Sequence, residues 1–286
     1  MKPSFFTIRY CWGLDSPFPC LDDWITASSF FMQKMSPARE NVARQATNKK
    51  STVDILKSSQ QRRIINMKKD LTELVFILDR SGSMSGLESD TIGGYNALLK
   101  KQQEQPGEAI VTTVLFDDEY ELLHDRINIK GIKPITDQEY YVRGTTALLD
   151  AVGKTIRKIH NAQQNTCEEE KAEKVLFVIT TDGMENASVE YNYDKIKALV
   201  EQQKEKHGWE FIFLGANIDA VETAGRFGIN ASRAANYHAD SAGTSLNFNV
   251  VGEAVSFLRA NKAMAPNWKA EIDEDFARRG KKGTKK

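Results

Sequence analysis

Apolar and polar positions alternate with a period that changes along the chain, and the changes mark the elements. From residue 71 the pattern is regular. Leu74–Leu78 (LVFIL) is an unbroken apolar run, as expected of a central parallel strand covered on both faces. A helical stretch follows, with Ile92, Tyr95 and Leu99 on one face. Ala109–Phe116 and Tyr120–Ile127 flank the acidic turn Asp117-Asp118-Glu119 and read as a hairpin. Leu148, Leu149, Val152, Ile156 and Ile159 recur at helical spacing, and the polar QQNTCEEEKAEK after them reads as a solvated connection.

Val175–Ile179 predicts a second buried strand, and Tyr193, Ile196 and Val200 the helix after it. Phe211–Leu214 predicts a third strand, followed by a short helix around Ala220–Phe227 and a weak strand near Ala234–His238. Val250, Val251, Ala254, Val255 and Leu258 form the inner face of a last helix. Strands alternating with helices at these lengths imply an α/β fold: a doubly wound, mainly parallel sheet with helices on both faces. The hairpin adds one antiparallel edge strand.

Residues 1–66 differ. Their aromatics, among them Trp12, Trp24, Phe30 and Phe31, lack any period, and residues 37–66 are polar and basic, so the segment reads as a poorly structured extension. Arg62-Arg63 can be encoded by AGGAGG, a ribosome-binding sequence, three codons before Met67 opens MKKDLTELVFILD. Two readings stand: a misassigned start before Met67, or a natural flexible extension. At the other end, residues 263–286 close on RRGKKGTKK and read as a disordered basic tail.

Charge and cysteine usage narrow the function. Lys+Arg and Asp+Glu balance at 39 each, so no global field steers the protein to nucleic acid or acidic membranes. The tail holds six Lys/Arg in residues 278–286 without interleaved aromatics, which makes it a solubilising tail before a nucleic-acid binder. Cys11, Cys20 and Cys167 form neither a disulfide framework nor a zinc motif. No apolar run reaches the length of a membrane span, and the first twenty residues lack the core of a signal peptide; a cytoplasmic location is expected.

The chemistry collects at the carboxyl ends of the predicted strands, where open parallel sheets bind ligands. Asp79-Arg80-Ser81-Gly82-Ser83-Met84 follows the first strand, with Gly82 expected to permit a sharp turn. Gly144-Thr145-Thr146-Ala147-Leu148 opens a helix, and Thr180-Thr181-Asp182-Gly183 ends the second buried strand. Two carboxylates and three hydroxyls are hard oxygen donors suited to Mg²⁺. Neither a dinucleotide-binding loop nor a P-loop is present, so no nucleotide is expected. A helix cap alone would explain the first motif but not all three.

These motifs, in this order, resemble the metal-ion-dependent adhesion site of von Willebrand factor type A (vWA) and integrin inserted domains. The resemblance covers residues 71–262 and is nearest to stand-alone cytoplasmic bacterial members that carry D-R-S-G-S-M. It implies a Rossmann-like vWA fold and a Mg²⁺ (or Mn²⁺) site made of Asp79, Ser81, Ser83, Thr146 and Asp182. Ser81 and Ser83 would be direct ligands. Thr146, matched by G-x-T in preference to Thr145, would bind directly or through water, as would Asp79 and Asp182. Arg80 departs from the adhesion proteins: it either attracts an acidic partner or pairs with a neighbouring carboxylate.

The function expected is a divalent-metal-dependent interaction module, not an enzyme, with the cation coordinating an acidic side chain of a partner protein. Two alternatives remain: a metal-dependent phosphoesterase-type hydrolase, or the vWA subunit of a chaperone-like ATPase assembly whose ATPase is a separate protein.

Overall fold

A computed structural model describes residues 70–260 and 264–280. The chain divides into Met1–Arg63 and Ile64–Lys286, and all described residues lie in the second unit. The N-terminal extension and the question of its start fall outside them.

Among the described residues, six strands build one sheet in the order β3-β2-β1-β4-β5-β6. They are β1 (Thr72–Asp79), β2 (Ala109–Phe116), β3 (Tyr120–Asn128), β4 (Lys174–Thr181), β5 (Glu210–Gly215) and β6 (Ala234–Asn236). All neighbours are parallel except β2 and β3, whose hairpin supplies the antiparallel edge. The expected fold class is therefore the observed one, and the strand order is that of a doubly wound sheet.

The alternation of β1 explains the layers. Leu74, Phe76 and Leu78 enter one core, while Val75 and Ile77 enter the other. Helices α1 (Glu88–Gln103) and α5 (Ser241–Arg259) cover the first core; α2 (Leu148–Gln164), α3 (Tyr193–His207) and α4 (Ala220–Arg226) cover the second. Side chains on both faces of β1 and β4 are buried throughout, apart from Lys174, which is why their sequences run apolar without a polar phase. Packing is close where α1 meets α5: a Cβ on Gly94 would stand 2.3 Å from the Phe248 ring.

The C-terminus departs from the sequence reading. Residues 264–280 pack on the domain, and Ala270–Gly280 forms a further helix, α6. Met264, Trp268 and Ile272 join the first core. Trp268 donates its indole N–H to the Ser232 carbonyl at 2.8 Å, and Lys269 donates to the Ala234 carbonyl at 2.6 Å. This segment covers the short edge strand β6, which would otherwise offer unpaired backbone groups. The charge of RRGKKGTKK masked the signal, because one buried Ile and one Trp suffice to dock a helix this short. Residues 281–286 lie outside the described ones.

Ile272 is 1% exposed. Ile272→Ala should lower stability by about 2–4 kcal/mol, the usual loss for a buried aliphatic side chain. Urea denaturation checks this; an unchanged midpoint would mean that the segment does not dock.

Candidate metal centre

The sheet reverses its winding direction between β1 and β4, and the crevice at their carboxyl ends is where such sheets bind ligands. Asp79 is the last residue of β1, and Asp182 directly follows β4. After Asp79 the chain makes a single 3-10 turn, Gly82–Met84, which sets Ser81 and Ser83 beside the strand end. Thr146 arrives from the long connection before α2, whose first residue is Leu148.

All five expected residues meet. The Ser81 and Ser83 hydroxyl oxygens are 3.0 Å apart, and the Thr146 hydroxyl donates to that of Ser81 at 3.0 Å. Ser83 donates to Asp182 Oδ1 at 2.6 Å. Asp79 Oδ1 accepts the Ser81 N–H at 2.7 Å, and its Oδ2 accepts the Thr181 hydroxyl at 2.5 Å. Thr145 is exposed and only its backbone N–H is engaged, by Asp118 at 3.3 Å, so Thr146 is the threonine of the site. Of the five, Ser83 alone is exposed, and it marks the opening to solvent.

The arrangement fits a hard cation on the structure's own terms. Asp182 Oδ2 is buried and has no hydrogen-bond partner, a costly state for a carboxylate oxygen. Burial pushes the Asp79 carboxyl up to about 6, with the nearby Asp182 adding to the rise, and burial raises Asp182 as well. Two buried acids held by hydroxyls therefore lack a positive partner. Space is kept for one: a Cβ on Gly183 would lie 2.7 Å from the Ser83 hydroxyl and 3.1 Å from that of Thr146. Among the described residues, no three His, Cys, Asp or Glu side chains form a group that could hold a metal ion, so this candidate site rests on its hydroxyls as much as on its two acids.

Two local expectations change. Gly82 does not adopt a positive φ, and a Cβ there would reach only ordinary contact with the Gly144 carbonyl. The glycine required is Gly144, with φ +64 and with Asp118 Oδ1 1.7 Å from where a Cβ would stand. Arg80 is fully buried, so of its two readings the pairing one holds. Its Nε donates to Asp117 Oδ2 at 2.9 Å and its Nη1 to Glu121 at 2.7 Å.

Several supporting residues carry no motif. Tyr140, buried within an irregular connection, donates its hydroxyl to the Asp79 carbonyl at 2.5 Å. Asn186 accepts the Thr146 N–H at 2.8 Å and so ties the loop after Asp182 to the threonine loop. Asp150, in the first turn of α2, accepts the N–H groups of Val189, Glu190 and Tyr191 and fixes the rest of that loop. A lone apolar residue in a loop, or a single Asn, gives no periodic signal by which to find it.

The strand order and the convergence of the three motifs agree with the fold and site that the resemblance to vWA domains implies. No family model matches the sequence, and no curated protein does. Among solved structures the chain is similar to a mutant of the PilB minor pilin from Streptococcus sanguinis, at 12% identity and a TM-score of 0.44, with 65% of this chain and 61% of that chain covered. It is similar to proximal thread matrix protein 1 from the mussel byssus, with a zinc-occupied adhesion-site motif, at 13% identity and a TM-score of 0.46, over 65% and 46% of the two chains. It is also similar to the manganese-loaded Plasmodium vivax TRAP protein, at 18% identity and a TM-score of 0.44, over 64% and 74%. The chain thus spans less than two thirds of the pilin and about half of the byssus protein.

Proposed function

We propose that this domain is a divalent-cation-dependent interaction module in which Mg²⁺ or Mn²⁺, held by Asp79, Ser81, Ser83, Thr146 and Asp182, accepts an acidic side chain from a partner protein. The observation that carries the reading is the donor set: three neutral hydroxyls and only two carboxylates, converging where one carboxylate oxygen is buried without a partner. With one or both carboxylates acting through water, a cation in such a set would keep part of its charge exposed and room for an incoming carboxylate.

The surroundings favour a protein ligand. Tyr141, Met184, Val189 and Val221 are exposed on the loops and the short helix α4 at this end of the sheet, apolar area of the kind that interfaces bury. On this reading the site binds rather than turns over substrate. In support, His124, His160 and His238 are engaged with Thr113, Gln203 and Phe276, and His207 packs at a tilt against His160 and Trp209, so none is hydrogen-bonded to Ser81 or Ser83. A hydrolytic metal centre would need a richer carboxylate set to activate water. Among the described residues, no helix is long and apolar enough to cross a membrane.

The buried acids give the first test. Without divalent cation, the folded state holds the Asp79 proton to about pH 6, whereas the ordinary value is 3.8. The folded state therefore binds the proton more tightly, and Asp79 lowers stability progressively as pH rises from about 4 to about 6, by on the order of 3 kcal/mol. In chelator at pH 7.5, Asp79→Asn should melt above wild type, and the gap should close toward pH 4. Added Mg²⁺ or Mn²⁺ should reverse the order, raising the wild-type melting temperature by mass action while leaving Asp79→Asn and Asp79→Ala unmoved. Equal cation-induced shifts in all three proteins would sink the site.

The second test concerns the partner. A protein captured from native lysate in Mg²⁺ should release in chelator, and release again when one of its Asp or Glu residues is changed to Asn or Gln. Thr146→Ala should weaken binding with little change in melting temperature, since that side chain serves the site rather than the core. Affinity that survives both chelation and Thr146→Ala would place the interface elsewhere.

A further inference from the structure

Arg80 and Asp117 stand beside the oxygen cluster without touching it, yet both side chains are fully buried. Arg143 joins them: its Nε donates to Asp117 Oδ2 at 2.7 Å, the same oxygen that Arg80 holds at 2.9 Å. The Tyr141 ring lies 5.4 Å from the Arg80 guanidinium and 5.7 Å from that of Arg143. Backbone bonds run in parallel. Arg143 N–H donates to the Arg80 carbonyl at 2.9 Å, Gly82 N–H to the Gly144 carbonyl at 3.2 Å, and Ala147 N–H to the Asp117 carbonyl at 2.8 Å.

The position of these residues along the chain gives the cluster its meaning. Arg80 precedes Ser81 directly, Arg143 precedes Thr146 by three residues, and Asp117 sits in the hairpin turn between them in sequence. A buried ion pair is a poor source of stability, because desolvation cancels much of its attraction. What it does supply is a fixed geometry, and here it fixes the spacing between two cation-binding loops.

We propose that Asp117 and Arg80 are positioning residues for the cation. Their ion pair, completed by Arg143, clamps the loop bearing Thr146 against the loop bearing Ser81 and Ser83, and so sets cation affinity. The proposal rests on the metal-binding reading above. It also says where the clamp acts. Asn186 ties Thr146 to the loop after Asp182, and the Thr146 hydroxyl reaches Ser81, so loosening the clamp is felt at the contact between Thr146 and Ser81.

Mn²⁺ titration of the full chain by calorimetry tests it. Asp117→Asn should weaken Mn²⁺ binding by about tenfold, the lower range for loss of a residue supporting a metal ligand. Thr146→Ala should weaken binding too. Because Asp117 acts through Thr146, introducing Asp117→Asn into the Thr146→Ala protein should add less than about twofold, whereas independent sites would add in full. Arg143→Gln removes a half-exposed member and leaves the buried pair, so it folds in either case and should show the same non-additivity with a smaller factor. If Asp117→Asn lowers the melting temperature but not the affinity, or weakens binding equally in both backgrounds, the clamp is overturned while the cation site stands. Should Asp117→Asn fail to fold, Arg143→Gln decides by the same two criteria. A wild-type protein that takes up no Mn²⁺ overturns the cation site and the clamp with it.

Discussion

Two carboxylates are brought to the ends of adjacent parallel strands, out of water, with no cationic side chain between them. The rest of this end of the molecule follows from that constraint. β1 and β4 are paired on both sides and covered on both faces, so Asp79, the last residue of β1, cannot swing into solvent without disturbing the sheet, and Asp182 follows directly on the end of β4. Arg80 is the nearest cation in sequence, and it is directed away to Asp117 and Glu121. Had that guanidinium turned inward, it would have neutralised the acids and closed the site. The carboxylates are held instead by neutral hydroxyls and one backbone N–H, which steady them without cancelling their charge.

That division of labour separates the stability of the fold from the chemistry of the site. The two hydrophobic cores lie on either face of the sheet and reach the crevice only at its floor. Three loops form its rim, and each is tied to a neighbour by a small number of oriented bonds: Gly82 to Gly144, Thr146 to Asn186, Ser83 to Asp182. A rim built in this way can lose a ligand without unfolding the sheet, yet a small displacement of one loop is enough to spoil six-fold coordination, which Mg²⁺ requires in near-ideal geometry.

The legible part of the sequence was the part governed by periodicity. Strands covered on both faces appear as LVFIL and VLFVI, and helices as stripes at three and four residues, because burial forces those patterns. The five oxygen side chains were legible because they sit in short motifs, four just at or after strand ends and Thr146 just before a helix. The support beneath them was not. Asp117 looks like any acidic hairpin turn, and Tyr140 like a stray aromatic in a loop; only the fold shows that one holds two arginines and the other the Asp79 carbonyl. Gly144 illustrates the same limit, since the sequence offered Gly82 as the glycine of need and the positive φ falls at the other loop. The C-terminal helix was hidden for a different reason: charge dominates its composition, and its docking depends on Ile272 within it and on Met264 and Trp268 in the segment before it.

Hydroxyl-rich ligation also bears on what such a site can do. Every carboxylate added to a cation's shell lowers its appetite for a further anion, and every carboxylate removed weakens its hold on the cation. Two acids with three hydroxyls sit between those limits, provided that the acids are ionised when the cation is present. Burial works against that in the metal-free protein by favouring the proton on Asp79, so cation uptake at neutral pH starts from a carboxylate that the fold destabilises. A cation bound here would relieve that cost. On the proposed reading, a cation held here would keep its solvent side, marked by the exposed Ser83, for a ligand from another molecule, and the exposed Tyr141 and Met184 would add apolar area to that contact.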